Sequence, residues 1–394
     1  MIKRAGLFLA VMLIPALLVP AGAPATRDAS GRYIVVLKRD AVRDPGAVAD
    51  EHRRRHAAKP TEVYRSALEG YAAKIPAREL GDVRSDRRVA YVEPDRLVKA
   101  SATQAGATWG LDRIDQRGLP LSTTFSYTNT GADYNPSGDD VKTYIIDTGL
   151  RSTHTEFAGR VAGMYDFVEP AYNTGGEDCN GHGTHVGGTV AGTSHGVAKG
   201  AALVAVRVLD CDGYGFNSEV IAGVDFVTAD HGAGQPAVAN MSLGGGASSA
   251  LDTAVKTSIA DGVSYAVAAG NGNWRGRAQD ACKSSPARVS EAMTISATDK
   301  SDRKASWANY GNCVDWFAPG VGISSAWHTG DSATNTISGT SMATPHSTGV
   351  AALYLQSNPG ASPTAVRAAL YTQTTKNIVS SSNTTNRHLL FTGW

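Results

Sequence analysis

Aromatic residues make up only 7% of the 394-residue chain, and charged residues 19%. The charges nearly cancel, to a net +1. The chain therefore lacks the basic excess of a dedicated nucleic-acid binder. Beyond the N-terminus no apolar run approaches the ~20 residues needed to cross a bilayer. The four cysteines include no C-x-x-C pair, which removes the usual zinc spacing. There is no internal repeat, and the only biased tract is rich in Ser, Thr and Asn, at 372–386. A solenoid and a disordered chain are both excluded. What is present is 42% hydrophobic residue content and 43 glycines. That suffices for a packed core in a turn-rich fold. At roughly 100–200 residues per domain, two or three domains fit.

The N-terminus reads as a targeting segment. Lys3 and Arg4 precede an almost wholly apolar run from Leu7 to Val19, which Pro20 ends. Small residues follow, as Ala21-Gly22-Ala23 or Ala23-Pro24-Ala25. This is the pattern of a secretory signal peptide over residues 1–25; an uncleaved anchor is the alternative. Secretion places the chain in an oxidising compartment, where Cys179, Cys211, Cys282 and Cys313 favour disulfides. Three pairings are open. Pairing sequence neighbours would close loops of about 32 residues, each contributing roughly 3 kcal/mol.

The chain changes character near residue 101. Residues 26–101 carry 17 basic and 12 acidic side chains, whereas 102–394 carry 18 and 24. A basic, charge-dense segment thus precedes an acidic, charge-poor one. Opposite signs suit mutual binding, and equally suit two independently solvated surfaces. Within the first segment, 31–37 and 89–94 read as strands and 44–56 as a helix, giving a small α+β unit. Its ~70 residues make a marginal core that would gain by docking. Beyond 102, apolar β-rich runs at 141–147, 203–209, 237–243, 263–269, 292–297 and 314–317 alternate with helix-compatible stretches at 182–193, 218–231, 250–261 and 341–357. That alternation predicts an α/β fold with a parallel sheet covered on both faces. Functional residues of such folds gather at the carboxyl ends of the strands.

Three motifs carry chemistry. Ile145-Ile146-Asp147-Thr148-Gly149 ends an apolar strand in a carboxylate. Asn180-Gly181-His182-Gly183-Thr184-His185 leads through glycines into a helix. Ser338-Gly339-Thr340-Ser341-Met342-Ala343-Thr344-Pro345-His346 opens another helix on a Gly-Thr-Ser turn. A serine hydroxyl is a weak nucleophile until a histidine takes its proton, and a carboxylate must fix the tautomer of that histidine. A serine at a helix start also has backbone N–H groups beside it for developing negative charge. His185 and His346 read as structural histidines. Asp178, Asp210 and Asp212 are competing carboxylates, but none ends an apolar strand in an Asp-Thr-Gly turn.

With these motifs in the order Asp, His, Ser, the chain resembles the secreted subtilisin-like serine proteases of the proteinase K group, most nearly the aqualysin type. Ala205-Val206-Arg207-Val208-Leu209-Asp210, Asn240-Met241-Ser242-Leu243-Gly244-Gly245-Gly246, Ala268-Ala269-Gly270-Asn271 and Trp109-Gly110-Leu111-Asp112-Arg113-Ile114-Asp115 extend the resemblance over nearly all of 102–394. It implies a three-layer subtilisin-like catalytic domain at 102–394. It also implies a small ferredoxin-like inhibitory propeptide at 26–101 that aids folding. Val98-Lys99-Ala100-Ser101 would be the product-like tail, with self-cleavage after Ser101. Asp147 would orient His182, the general base. Ser341 would form the acyl-enzyme, and Asn271 would donate to the oxyanion. Gly213, Tyr214 and Gly215 with Ser242, Leu243 and Gly244 would sandwich a substrate strand. Ala268, Ala269 and Gly270 would line a roomy S1 pocket for apolar or aromatic residues.

The same resemblance implies the disulfides Cys179–Cys211 and Cys282–Cys313, and structural Ca²⁺. One calcium site would use Asp315 with the carbonyls of Ser290 and Ala292; a second would use Asp112, Asp115 and Gln116. Arg117 stands where proteinase K has a Thr ligand, which argues against that group's weaker site. The expectation is a secreted, monomeric endopeptidase acting on peptides and proteins, with no nucleic-acid partner and no membrane attachment once the signal is removed. No further C-terminal domain is expected. An inactive binding protein on this fold would not need all four of Asp147, His182, Ser341 and Asn271. An esterase would need an acyl pocket in place of the strand-binding cleft.

Overall fold

The computed structural model describes residues 31–38, 43–95, 102–127 and 141–393. The expected signal peptide, the expected tail at 98–101 and the expected processing point lie outside the described residues. The chain divides into two compact units at Val98/Lys99.

The first unit runs β1 (Gly31–Leu37), α1 (Pro45–His56), β2 (Lys59–Tyr64), β3 (Gly70–Ile75), α2 (Leu80–Ser85) and β4 (Val89–Pro94). Its strands form one antiparallel sheet in the order β2-β3-β1-β4. This β-α-β-β-α-β order is that of a ferredoxin-like unit. Asp44 caps α1, its carboxylate accepting from Gly46 N at 2.9 Å, and Pro45 supplies the preset φ of a first helical residue. Val48, Ala49 and Val83 of the helices pack on Val35, Tyr71 and Ile75 of the sheet.

The second unit comprises β5 (Ala102–Ala105), α3 (Trp109–Ile114), β6 (Thr124–Tyr127), β7 (Lys142–Asp147), β8 (Val161–Asp166), α4 (His182–Ala191), β9 (Ala202–Arg207), α5 (Asn217–Asp230), β10 (Ala237–Met241), β11 (Gly245–Gly246), α6 (Ser249–Asp261), β12 (Ser264–Ala268), β13 (Ser284–Ser285), β14 (Met293–Thr298), β15 (Trp316–Pro319), β16 (Ile323–Ala326), β17 (Thr334–Ile337), α7 (Thr340–Ser357) and α8 (Pro363–Gln373). Seven strands form a parallel sheet in the order β15-β14-β12-β10-β7-β9-β8. Alternate residues of its buried strands feed two cores. Ile145, Leu203, Ala205 and Ala266 face α4 and α7 through Val186, Val190, Val350 and Leu353. Tyr144, Ile146, Val204 and Val206 face α5 and α6 through Val220, Val224, Leu251 and Val255. The result is three layers, helices over both faces of the sheet. Strands buried on both sides need apolar residues at every position, which is why they read as continuous runs.

Candidate active site

Three element boundaries converge at the carboxyl ends of the central strands. β7 delivers Asp147 as its last residue, fully buried. α4 opens on His182, and α7 opens on Thr340 and Ser341. The turn after β7 and the start of α4 touch through glycine: a Cβ on Gly183 would lie 2.1 Å from Gly149 O.

His182 Nδ1 lies 2.7 Å from Asp147 Oδ1. A carboxylate only accepts, so Nδ1 carries the proton and Nε2 keeps its lone pair. Thr148 N donates to the same oxygen at 2.8 Å. Burial works against a charged imidazole here. The charge and hydrogen bond of Asp147, with Asp178 beyond, outweigh it and raise His182 above its ordinary value.

Asp178 is the hub of this arrangement and is itself buried. Its Oδ1 accepts from Thr148 Oγ1 (2.9 Å), Asn180 N (2.9 Å) and Gly181 N (2.8 Å). Its Oδ2 accepts from Thr184 N (2.8 Å) and Thr184 Oγ1 (2.6 Å). One carboxylate thus ties the turn after Asp147 to the first turn of the helix that carries His182. Its sequence signal was faint: an Asp shortly before a helix start, where acceptors for free N–H groups are favoured.

Ser341 Oγ donates to Ser242 O at 2.9 Å, and Ser242 Oγ donates to Ser341 O at 2.8 Å. The Ser341 carbonyl is open to that bond because the residue four places on is Pro345, which has no N–H. Asn240 Nδ2 donates to Ser242 Oγ at 2.8 Å, and Thr348 Oγ1 to Asn240 Oδ1 at 2.9 Å. Asn271 Oδ1 accepts from Thr340 N (2.8 Å) and Thr340 Oγ1 (2.9 Å). These donors fix which end of the amide is oxygen and leave Nδ2 as its open donor.

Two adjacent cavities of about 470 and 390 Å³ share Leu243, Gly244, Asn271 and Ser341. Ala268, Ala269 and Gly270 line the larger one, together with Asn309, and none of its lining residues is charged. The smaller is lined by His182, Gly213, Tyr214, Gly215 and Ser242. Gly215 is required by close approach: a Cβ there would sit 2.2 Å from Val208 O. The disulfides are Cys179–Cys211 and Cys282–Cys313. The first ties the lead-in of α4 to the 213–215 segment, where Asn180 Nδ2 also donates to Cys211 O at 3.0 Å. His185 and His346 are buried and spend one nitrogen each on backbone, His185 Nε2 on Ile323 O and His346 Nδ1 on Met342 O, both at 2.9 Å.

The two expected calcium sites differ. Asp112 Oδ1 accepts from Ser122 N and Oγ, and Oδ2 from Thr123 N. Asp115 Oδ2 accepts from Ser126 N, while its Oδ1 is buried without a partner. Burial, with Asp112 close by, pushes the Asp115 carboxyl up to about 6. Gln116 Oε1 lies in the same cluster, accepting from Ser122 N at 3.2 Å. An unpartnered oxygen on a crowded carboxylate pair fits a hard cation. Asp315 does not offer this. Its Oδ2 accepts from Thr294 N at 2.8 Å, and its Oδ1 from Arg367 Nη2. Ser290 and Ala292 lie in the segment entering β14, Ser290 exposed and Ala292 buried. Arg117 is committed elsewhere, 3.6 Å over the ring of Phe391 and bonded to Gln373 O.

The Subtilase family model matches residues 138–391, well over half of the chain. The chain belongs to the subtilase family. The Peptidase inhibitor I9 model matches residues 32–101. The extracellular serine proteinase of Thermus sp. (strain Rt41A) is 50% identical over 388 residues, which are 94% of this chain and 91% of that protein. The alkaline serine exoprotease A of Vibrio alginolyticus is 48% identical over 84% of this chain and 59% of its own length. The crystal structure of a cold adapted subtilisin-like serine proteinase matches with a TM-score of 0.67 and 49% identity, covering 73% of this chain and 99% of the other. This subtilase is a serine proteinase preceded by an I9-type propeptide.

Proposed function

We propose that this subtilase is a self-processing, exported endopeptidase that works through Asp147, His182 and Ser341. The observation that carries the reading is His182 Nδ1 held 2.7 Å from a buried Asp147, at the mouth of a cleft that Ser341 also lines. A turn about χ1 takes the Ser341 hydroxyl from Ser242 O to His182 Nε2. His182 accepts the proton as Ser341 Oγ adds to the scissile carbonyl, then returns it to the leaving amine. Asp147 keeps the proton on Nδ1 and stabilises the imidazolium. Asn271 Nδ2 and Ser341 N receive the oxyanion. A substrate strand lies between 213–215 and 242–244, adding main-chain bonds on both sides. The uncharged cavity beside Ala268, Ala269 and Gly270 takes an apolar or aromatic P1 side chain.

Export is supported by the N-terminal pattern and by a relative named extracellular. Among the described residues no helix is long and apolar enough to cross a membrane. Asp112, Asp115 and Gln116 would hold calcium, which when bound supplies positive charge to a crowded carboxylate pair. The catalytic unit acts as a monomer, inhibited by its own propeptide until cleavage after Ser101.

The test is expression of the full chain beside Ser341→Ala, following mass, N-terminal sequence and casein hydrolysis. The expected outcome is processing near Ser101 and casein digestion by the parent only. Equal processing of both, with neither digesting casein in calcium, would overturn the reading.

A further inference from the structure

Asp315 offers a single carboxylate in a largely buried setting, its side chain 10% exposed. Both oxygens have donors, Thr294 N on one and the Arg367 guanidinium on the other. Arg367 reaches it from α8, at the edge of a cavity of about 380 Å³. The remaining lining residues are Thr364, Ala368, Tyr371, Thr372 and Asn386, so among the described residues this lining holds no second carboxylate. Calcium affinity grows with the number of anionic oxygens. Here the one negative charge is already matched by a cation of the chain itself. A calcium ion would have to expel that guanidinium, and the cavity lining offers no second carboxylate to offset the loss.

We propose that Arg367 is a tethered cation that takes the place of calcium at Asp315, so that this part of the fold is stabilised without metal. A guanidinium suits this role because it stays charged at every working pH and needs no free ion. Its side chain is 39% exposed, so its hydrocarbon stem and head span from solvent to the buried carboxylate. The region it secures joins the C-terminal helix α8 to the segment entering β15, the edge strand of the large sheet. Loss of the arginine leaves a buried, uncompensated carboxylate, the costly way to break such a pair. The same loss opens the one-carboxylate site to calcium.

The experiment uses the full chain carrying Ser341→Ala, so that self-digestion cannot blur the result whatever the peptidase reading. Calcium bound per chain is counted by equilibrium dialysis, and Tm is recorded in EGTA and in calcium. Adding Asp315→Asn is expected to leave the calcium count of the parent unchanged. Adding Arg367→Gln is expected to lower Tm in EGTA by roughly 5 °C, with calcium restoring part of the loss and one further ion bound. If Asp315→Asn removes a calcium from the parent, the ion displaces Arg367 and the proposal fails. An Arg367→Gln chain that melts like its parent in EGTA, or gains no calcium, overturns it equally. Should that variant not fold, Arg367→Lys keeps the charge and must keep the calcium count of the parent; a gain there refutes the assignment.

Discussion

Replacing Thr340 by valine tests how Asn271, the proposed oxyanion donor, is held. Thr340 is fully buried, and valine matches its shape. Its hydroxyl donates to Asn271 Oδ1 at 2.9 Å and accepts from Gly270 N at 3.1 Å. Thr340→Val deletes both bonds and strands the Gly270 N–H. One lost bond of about 1 kcal/mol, to Asn271, and one stranded donor of about 1–3 kcal/mol come to about 2–4 kcal/mol of stability. For a domain of this size that lowers Tm by roughly 5–10 °C. The rate effect is bounded from above. Complete loss of such a donor costs ~10²–10³ in kcat in the family example. Asn271 would still be held by Thr340 N at 2.8 Å, so about half of that free energy is at stake. The expected loss is roughly tenfold in kcat, with KM little changed. Initial rates on a chromogenic peptide anilide would measure it. In an Asn271→Ala background the same substitution should be nearly silent, because the group it positions is gone. An equal fold-loss in both backgrounds, or a rise in KM with kcat intact, would refute the reasoning.

Asp178→Asn removes one of the charges that raise His182, so the acid limb of kcat/KM should move to lower pH, while Tm falls through the lost Thr184 bonds; a limb that stays in place as kcat drops would show a structural role alone. Glu156 is pressed upward by burial, but His195 and the N–H groups of Ser194 and His195 prevail and hold it down at about 2. A lowered carboxylate stabilises above its ordinary value near 4.5 and loses that contribution as pH falls towards 2, so Tm should decline over that range and Glu156→Gln should flatten the decline. Breaking Cys282–Cys313 with paired serines frees a span of 31 residues and should cost roughly 3–4 kcal/mol, read as a drop in Tm.

The elements of the candidate site were legible because each motif carries its own geometry. β7, β9, β10 and β12 are apolar on both faces, and the structure places them within one or two residues of the runs read from sequence. Asp147 ends a strand, and His182 and Ser341 open helices, so the boundary itself marks the site. Less visible was β8, an edge strand with Gly163 and a partly exposed face, whose pattern lacks the continuous apolar run. The helix α8 was hidden too, since Pro363–Gln373 buries only Val366 and Leu370. Asp178 was undervalued for a different reason. Its worth lies in five bonds that join two segments, one of them thirty residues upstream, and no local pattern records that.

Asp315 shows where carrying residues over from a resemblance stops. Asp147 and Thr148 are sequence neighbours, and His182, Gly183 and Thr184 lie within one helical turn, so a matching motif brings the whole apparatus with it. At Asp112 and Asp115 the partners Ser122, Thr123 and Ser126 also lie close in sequence, within eleven residues, and the unpartnered Asp115 oxygen leaves room for a cation. Asp315 was carried over by the same resemblance, but its partner Arg367 is 52 residues away on α8. A motif can transmit the anion without transmitting what neutralises it. Charge balance at a buried carboxylate is a property of everything that reaches it, so the cation is decided by the helix that packs there. On this view, substitutions at 367 alone, with 315 untouched, should switch this corner of the fold between metal-free and metal-dependent stability.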